Sequence, residues 1–198
     1  MSGLDSGSEA KVEALRPFFE RMPDAHLAVV FPIFIMRRKP GGALGGGTWP
    51  RHAIRSDVMG PAHSDNSGVP DDEIKRWIEL RGRGLIGLSR DRWERPAGSR
   101  EFSVLHEVGH CIDVQLGGLV PAGATGADFA GMETDRCGAG GALTVRQAVE
   151  VYARWMCSPS RVYHFVPPGD SSAAANDRLK RLLRRSAAFR SVPTTWPP

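Results

Sequence analysis

The chain has 198 residues, of which 41% are hydrophobic and 24% are charged, and its formal net charge is +4. This composition is typical of a globular protein, and the length suffices for one domain with a real core or for two small lobes. No apolar run is long enough to span a membrane. The three cysteines, Cys111, Cys137 and Cys157, are odd in number and irregularly spaced, which excludes a disulfide framework and a cysteine zinc finger.

The N-terminal half predicts helices and short strands separated by glycine-rich loops. Ser6 and Glu9 have the spacing of a capping box, which predicts a helix from Ser6 to about Arg21 that ends before Pro23. The next predicted elements are, in order, a bent strand at 27–38, a loop at 40–47, a strand at 51–59, a loop at 60–70, a helix at 71–81 and a strand at 84–89.

The most informative segment is His106-Glu107-Val108-Gly109-His110. It lies in a predicted helix that Ser99 caps and that Gly117-Gly118 ends. Histidines four residues apart lie on one helix face, where they can occupy two corners of a tetrahedral zinc site. Glu107 lies beside the open corner and can take a proton from zinc-bound water. The alternative, two structural histidines, would leave a buried glutamate that is costly to keep.

This sequence resembles the H-E-x-x-H signature of the zincin metallopeptidases. The resemblance implies one α+β metallopeptidase domain over residues 1–198. Its upper lobe, residues 1–117, would hold a small twisted sheet and the motif helix, and its lower lobe, residues 118–198, would be mainly helical. The resemblance further implies one catalytic Zn²⁺ and a protein or peptide substrate, held extended in the cleft along an edge strand.

Catalytic zinc requires a third protein ligand. The metzincin pattern fails, because Asp113 and Leu116 stand where it needs Gly and His. The gluzincin pattern takes a glutamate from a later helix, and Glu150 is the best candidate. A capping box at 144–147 begins that helix, which must be covered on both faces if Glu150 is a ligand.

Other assignments around Glu150 stay open. Glu150 could instead be a surface residue paired with Arg146 and Arg154. Glu133 and Asp135 are alternative ligands, reminiscent of the aspzincin segment but out of register.

The motif followed by Asp113, with a glutamate helix about forty residues later, is most similar to the lethal-factor and Pro-Pro endopeptidase group and to zincin effector domains of bacterial secretion systems. Asp113 is expected to accept a hydrogen bond from an imidazole. That group places a catalytic Tyr where this chain has Leu143, so Tyr163 or His164 is the candidate for stabilising the oxyanion. Each of the two could equally be a plain surface or core residue.

The C-terminal segment 178–185 predicts a basic amphipathic helix. We expect it to pack through its leucines and to expose a solvated basic face, with no nucleic-acid partner. The remaining histidines, His26, His52 and His63, are expected to be structural or exposed rather than ligands.

The predicted function is therefore a zinc-dependent endopeptidase, with the effector or toxin domain as a variant of it. The alternative is a catalytically inactive zincin-like binding or regulatory module that contacts nucleic acid through the basic helix. The first eight residues lack the order of a signal peptide, so we expect a cytoplasmic protein or one exported without a cleavable signal, unless the chain is an excised domain.

Overall fold

The structure is a computed structural model that describes residues 6–36, 46–49, 85–124, 145–157 and 172–196. The predicted strand at 51–59 and the predicted helix at 71–81 lie outside these residues. The described elements are α1 (Ser6–Glu13), α2 (Arg16–Glu20), α3 (Asp24–Leu27), β1 (Ile33–Met36), β2 (Gly46–Trp49), β3 (Leu85–Ser89), α4 (Arg90–Trp93), α5 (Ser99–Gln115), α6 (Val145–Cys157), α7 (Ser172–Leu183) and a 3-10 turn at Ala187–Phe189.

The N-terminal helix is interrupted, so the prediction of one continuous helix to Arg21 was wrong. The break lies between α1 and α2, and Pro17 stands in the first turn of α2. Proline has no N–H to donate, and its ring collides with the carbonyl four residues earlier, which ends the preceding helix. The predicted strand at 27–38 was also too long, because α3 and a turn occupy its first part and β1 begins only at Ile33, after Pro32.

The three strands form one mixed sheet in the order β1-β3-β2. β3 confirms the strand predicted at 84–89 and pairs parallel with β1, with Ile33 opposite Ile86. β2 pairs antiparallel with β3 and places Gly47 opposite Gly87. Gly46 and Gly47 were predicted to be in a loop. Their pairing shows that the backbone ladder, to which glycine contributes as well as any residue, decided the conformation here.

The motif helix α5 begins and ends at glycines. Its N-cap is Gly98, with φ +87°, and not the predicted Ser99. Glu101 accepts a hydrogen bond from the Gly98 N–H and pairs with Arg100 at 2.7 Å. Burial alone would raise the pKa of Glu101, but these hydrogen bonds outweigh it and lower the pKa. Gly117, with φ +82°, follows the last turn and confirms the predicted stop.

The core lies where α5 packs against α6, β2 and β3. Ile86 and Leu88 of β3 are buried beneath the motif helix. The basic helix α7 packs through Leu182 and Leu183, as predicted, while Arg181 is exposed. Within the described ranges, no helix combines the length and apolar character needed to cross a lipid bilayer.

Candidate metal centre

The two motif histidines converge on one point. The Nε2 atoms of His106 and His110 lie 3.2 Å apart, and their rings are nearly perpendicular, with centroids 4.9 Å apart. Two nitrogen ligands at zinc–nitrogen distances of about 2.0–2.1 Å, held at a tetrahedral angle, would be about 3.4 Å apart. His110 is buried and His106 is half-buried. The observed separation is close to this ligand spacing and is also a hydrogen-bond distance between the two rings.

The glutamate of the motif is enclosed by the fold. Glu107 follows His106 directly on α5, and only 7% of it is exposed. Water therefore provides little of the solvation that its carboxylate would have in the unfolded chain. Glu107 is thus a buried carboxyl group in the same helical turn as the two histidines.

The helix that carries Glu150 crosses the motif helix at Gly109. A Cβ atom built on Gly109 would lie 3.0 Å from Val149 Cγ1 and 3.5 Å from the Val149 carbonyl oxygen. Toward the N-terminus of α5, the guanidinium carbon of Arg154 lies 5.4 Å from the centre of the Phe102 ring. These two contacts show that α5 and α6 run antiparallel.

The antiparallel register brings Glu150 to the level of the histidines. Arg154 is one turn after Glu150 on α6 and contacts Phe102, which is one turn before His106 on α5. Gly109, the contact of Val149, lies next to His110. Glu150 therefore lies between two contacts, at Phe102 and Gly109, that enclose His106 along α5 and end next to His110.

Most of α6 is buried. Val151 and Ala153 are fully buried and Gln147 is 4% exposed. Glu150 itself is half-buried. Arg154, one turn later, is half-buried as well, so Glu150 and Arg154 share the least buried described face of α6. The alternative of an ion pair at Glu150 stays open.

The third ligand stays a prediction. Among the described residues, no three His, Cys, Asp or Glu side chains are gathered closely enough to hold a metal ion. The alternatives Glu133 and Asp135 lie outside these residues, as do the predicted oxyanion stabilisers Tyr163 and His164.

Asp113 stabilises the turn that follows the motif helix. Its Oδ1 accepts a hydrogen bond from the Leu119 N–H at 2.6 Å, and its backbone carbonyl accepts one from the Gly118 N–H at 2.8 Å. The carboxylate thereby fixes the exit of the chain from α5. A contact between Asp113 and an imidazole stays a prediction.

The cysteines next to the site are structural. Cys111 donates its S–H to the Val29 carbonyl oxygen at 3.0 Å, and burial raises its pKa to about 12. Burial also raises the pKa of the half-buried Cys157 to about 11. Both thiols are therefore protonated at neutral pH. Cys111 is fully buried and Cys157 is half-buried.

His26 is a structural histidine, which is one of the two possibilities, structural or exposed, that the sequence left open. It is fully buried, its Nε2–H donates to the Ala188 carbonyl oxygen at 2.9 Å, and Tyr152 Oη lies 3.0 Å from its Nδ1. Because the carbonyl can only accept, Nδ1 is the acceptor for the Tyr152 hydroxyl. Burial lowers the pKa of His26, and the hydrogen bond to Ala188 offsets part of this effect.

The sequence assigned no role near the motif to Phe102 or Tyr152, and it offered Arg154 only as an ion-pair partner of Glu150. Phe102 stands four residues before His106, so helical spacing alone could have placed its ring beside the imidazole. The hydroxyl of Tyr152 contacts His26, and its ring packs near Gly109. The Tyr152 Cδ1 atom lies 3.4 Å from a Cβ atom built on Gly109. No local pattern links residues so far apart in the chain.

Comparisons of the chain with protein-family models, with curated proteins and with solved structures gave no match. The geometry of the described residues is therefore the basis for the functional proposal.

Proposed function

We propose that this chain is a zinc-dependent endopeptidase of the zincin type, in which His106, His110 and Glu150 hold one Zn²⁺. The observation that carries the proposal is the 3.2 Å separation of the two imidazole Nε2 atoms on a largely buried helix. The antiparallel register of α5 and α6, which brings Glu150 to the level of this pair, supports the choice of the third ligand.

Each residue then has a chemical task. Bound zinc supplies Lewis acidity, which acidifies water and polarises a carbonyl group. Glu107 takes the proton of the attacking water and passes it to the leaving amine. Its burial keeps bulk water from competing for that proton. Tyr163 or His164 would donate a hydrogen bond to the developing oxyanion.

The position of β2 supports an extended substrate. β2 contacts the motif helix α5 and pairs with β3 along one side. Within the described part of the sheet it is an edge strand. A peptide that adds to this edge through main-chain hydrogen bonds would run past the histidine pair.

Metal analysis and one substitution test the proposal. We expect purified protein to bind about one equivalent of zinc and to cleave an unstructured protein such as casein, with chelation abolishing cleavage. Glu107→Gln removes the proton acceptor but no ligand, so it should retain zinc and lose cleavage. Cleavage by Glu107→Gln at the wild-type rate would contradict the mechanism, and a wild-type protein that binds no zinc would contradict the site.

The third ligand needs a separate comparison. Glu150→Gln keeps the size of the side chain but replaces a charged ligand oxygen, and it should weaken zinc binding strongly. Glu133→Gln and Asp135→Asn are the matched controls and should leave zinc affinity unchanged. Loss of zinc in either control, with Glu150→Gln intact, would transfer the ligand role to that residue.

A further inference from the structure

One turn before the histidines, the same face of α5 carries an aromatic side chain. Phe102, His106 and His110 are spaced by four residues. The rings of Phe102 and His106 lie 6.1 Å apart, and the imidazole of His110 lies on the other side of His106 at 4.9 Å. The His106 ring is therefore flanked along the helix by two rings.

The Phe102 ring is in turn covered from the neighbouring helix. Arg154 of α6 places its guanidinium carbon 5.4 Å from the ring centre. The Arg154 Nε is buried and has no hydrogen-bond partner in the part of the chain that the structure describes. The face of the Phe102 ring is thus the observed contact that fixes this cation.

We propose that Arg154 is a positioning residue of the metal centre, which holds Phe102 against His106 and so sets the orientation of that imidazole. This inference rests on the proposed zinc site. A ligand that is already oriented loses less freedom when the metal binds, and groups around metal ligands typically change metal affinity by about 10–100-fold. Arg154 also stands one turn from Glu150 on α6, so the same side chain connects the two helices that supply the proposed ligands.

Zinc affinity, measured by competition with a chromogenic chelator, tests this role. Arg154→Met keeps the length of the side chain and removes the cation, and it should weaken zinc binding by about 10–100-fold. Arg154→Lys retains a cation and should restore most of the affinity. Arg184→Met is the matched control, because Arg184 lies 5.6 Å from the ring centre of Trp155 on the same helix α6 but outside the Phe102–His106 contact.

A double-mutant cycle tests whether Arg154 acts through Phe102. Phe102→Leu keeps an apolar side chain but removes the ring, and it should weaken zinc binding to a similar degree. If Arg154 acts through this ring, Arg154→Met should add little in the Phe102→Leu background. Additive losses would overturn the proposed route.

Two spectroscopic measurements separate orientation from folding. The visible absorption of the Co²⁺-substituted protein should change in Arg154→Met and not in Arg184→Met. In the metal-free protein, the ring-proton resonances of His106 should shift in Arg154→Met, because the adjacent Phe102 ring changes its position. The inference would be overturned if Arg154→Met kept the wild-type zinc affinity and spectra, or if Arg184→Met lost as much zinc affinity as Arg154→Met. A wild-type protein that binds no zinc would instead overturn the proposed site.

Discussion

Among the described residues, His26 and the pair of His106 and His110 differ in how their ring nitrogens are used. At His26, one nitrogen donates to a carbonyl oxygen and the other lies beside a tyrosine hydroxyl, so the two contacts point in opposite directions. At His106 and His110, one nitrogen from each ring approaches the same point. A structural histidine satisfies its own two nitrogens, whereas a metal-binding pair directs nitrogens from two residues to a shared position. The arrangement of His106 and His110 is the one that the proposed metal site requires.

The largest expected effect distinguishes this pair from His26 by metal binding. His110→Ala removes a proposed ligand and should reduce zinc affinity by more than the roughly 100-fold that groups around ligands contribute. His26→Ala removes no ligand and should leave zinc affinity within a few-fold of wild type under conditions where it is folded. Isothermal titration calorimetry of both variants with zinc measures this contrast. An equal loss of zinc affinity in both variants would contradict the prediction.

The second expected effect reverses the ranking, because it concerns stability. His26→Ala leaves the Ala188 carbonyl and the Tyr152 hydroxyl without their partner and opens a cavity, so the free energy of unfolding should fall by about 3 kcal/mol. His106→Ala, at a half-buried position, should change it by less than about 1 kcal/mol in the metal-free protein. Urea unfolding in the presence of a chelator gives both values. If His106→Ala lowered the free energy of unfolding more than His26→Ala does, His26 would not be the structural histidine.

The third expected effect concerns the contact of α5 with α6 at Gly109 and Val149. Gly109→Ala places a methyl group 3.0 Å from Val149 Cγ1, a β-branched side chain with little rotational freedom, and should destabilise by about 1–3 kcal/mol. In a Val149→Ala background the same change should be neutral or stabilise by up to about 1 kcal/mol, because alanine favours helix more than glycine does. Chemical unfolding of the four proteins measures the coupling, and additive effects would mean that α5 and α6 do not meet at this point.

The smallest expected effect concerns pH. Because the pKa of folded His26 is lowered, the unfolded chain binds more protons below the ordinary histidine pKa of about 6.5. The contribution of neutral His26 to the free energy of unfolding is therefore fully present above that pH. It is lost as the pH falls from about 6.5 through the pKa of folded His26.

The matched variant for this measurement is His26→Gln, which does not titrate in this range. Unfolding free energies of both proteins, measured between pH 7.5 and 5 without metal, should converge as the pH falls. The comparison between the two proteins cancels the titration of His106 and His110, which both share. Parallel curves would show that His26 is not held neutral.

The sequence predicted best where local spacing decides the outcome. Gly117 ended the motif helix and the strand at 84–89 formed, because a left-handed backbone and a β-rich run are properties of a few adjacent residues. It failed where a single residue interrupts a favourable pattern. Pro17 divided the N-terminal helix although the apolar spacing continues through it. It also failed at Gly46, where pairing with a distant strand overrode the local preference of glycine for turns.

The prediction of a metal site came from the sequence alone, because two histidines four residues apart on any α-helix lie on the same face whatever surrounds them. The tertiary structure decided which residues of other helices lie at the level of this face. Only the antiparallel packing of α5 on α6 at Gly109 brings Glu150 to the level of the histidines and Arg154 onto Phe102. Contacts between helices far apart in the chain depend on how their surfaces interdigitate, and this is a property of the whole core rather than of any local segment.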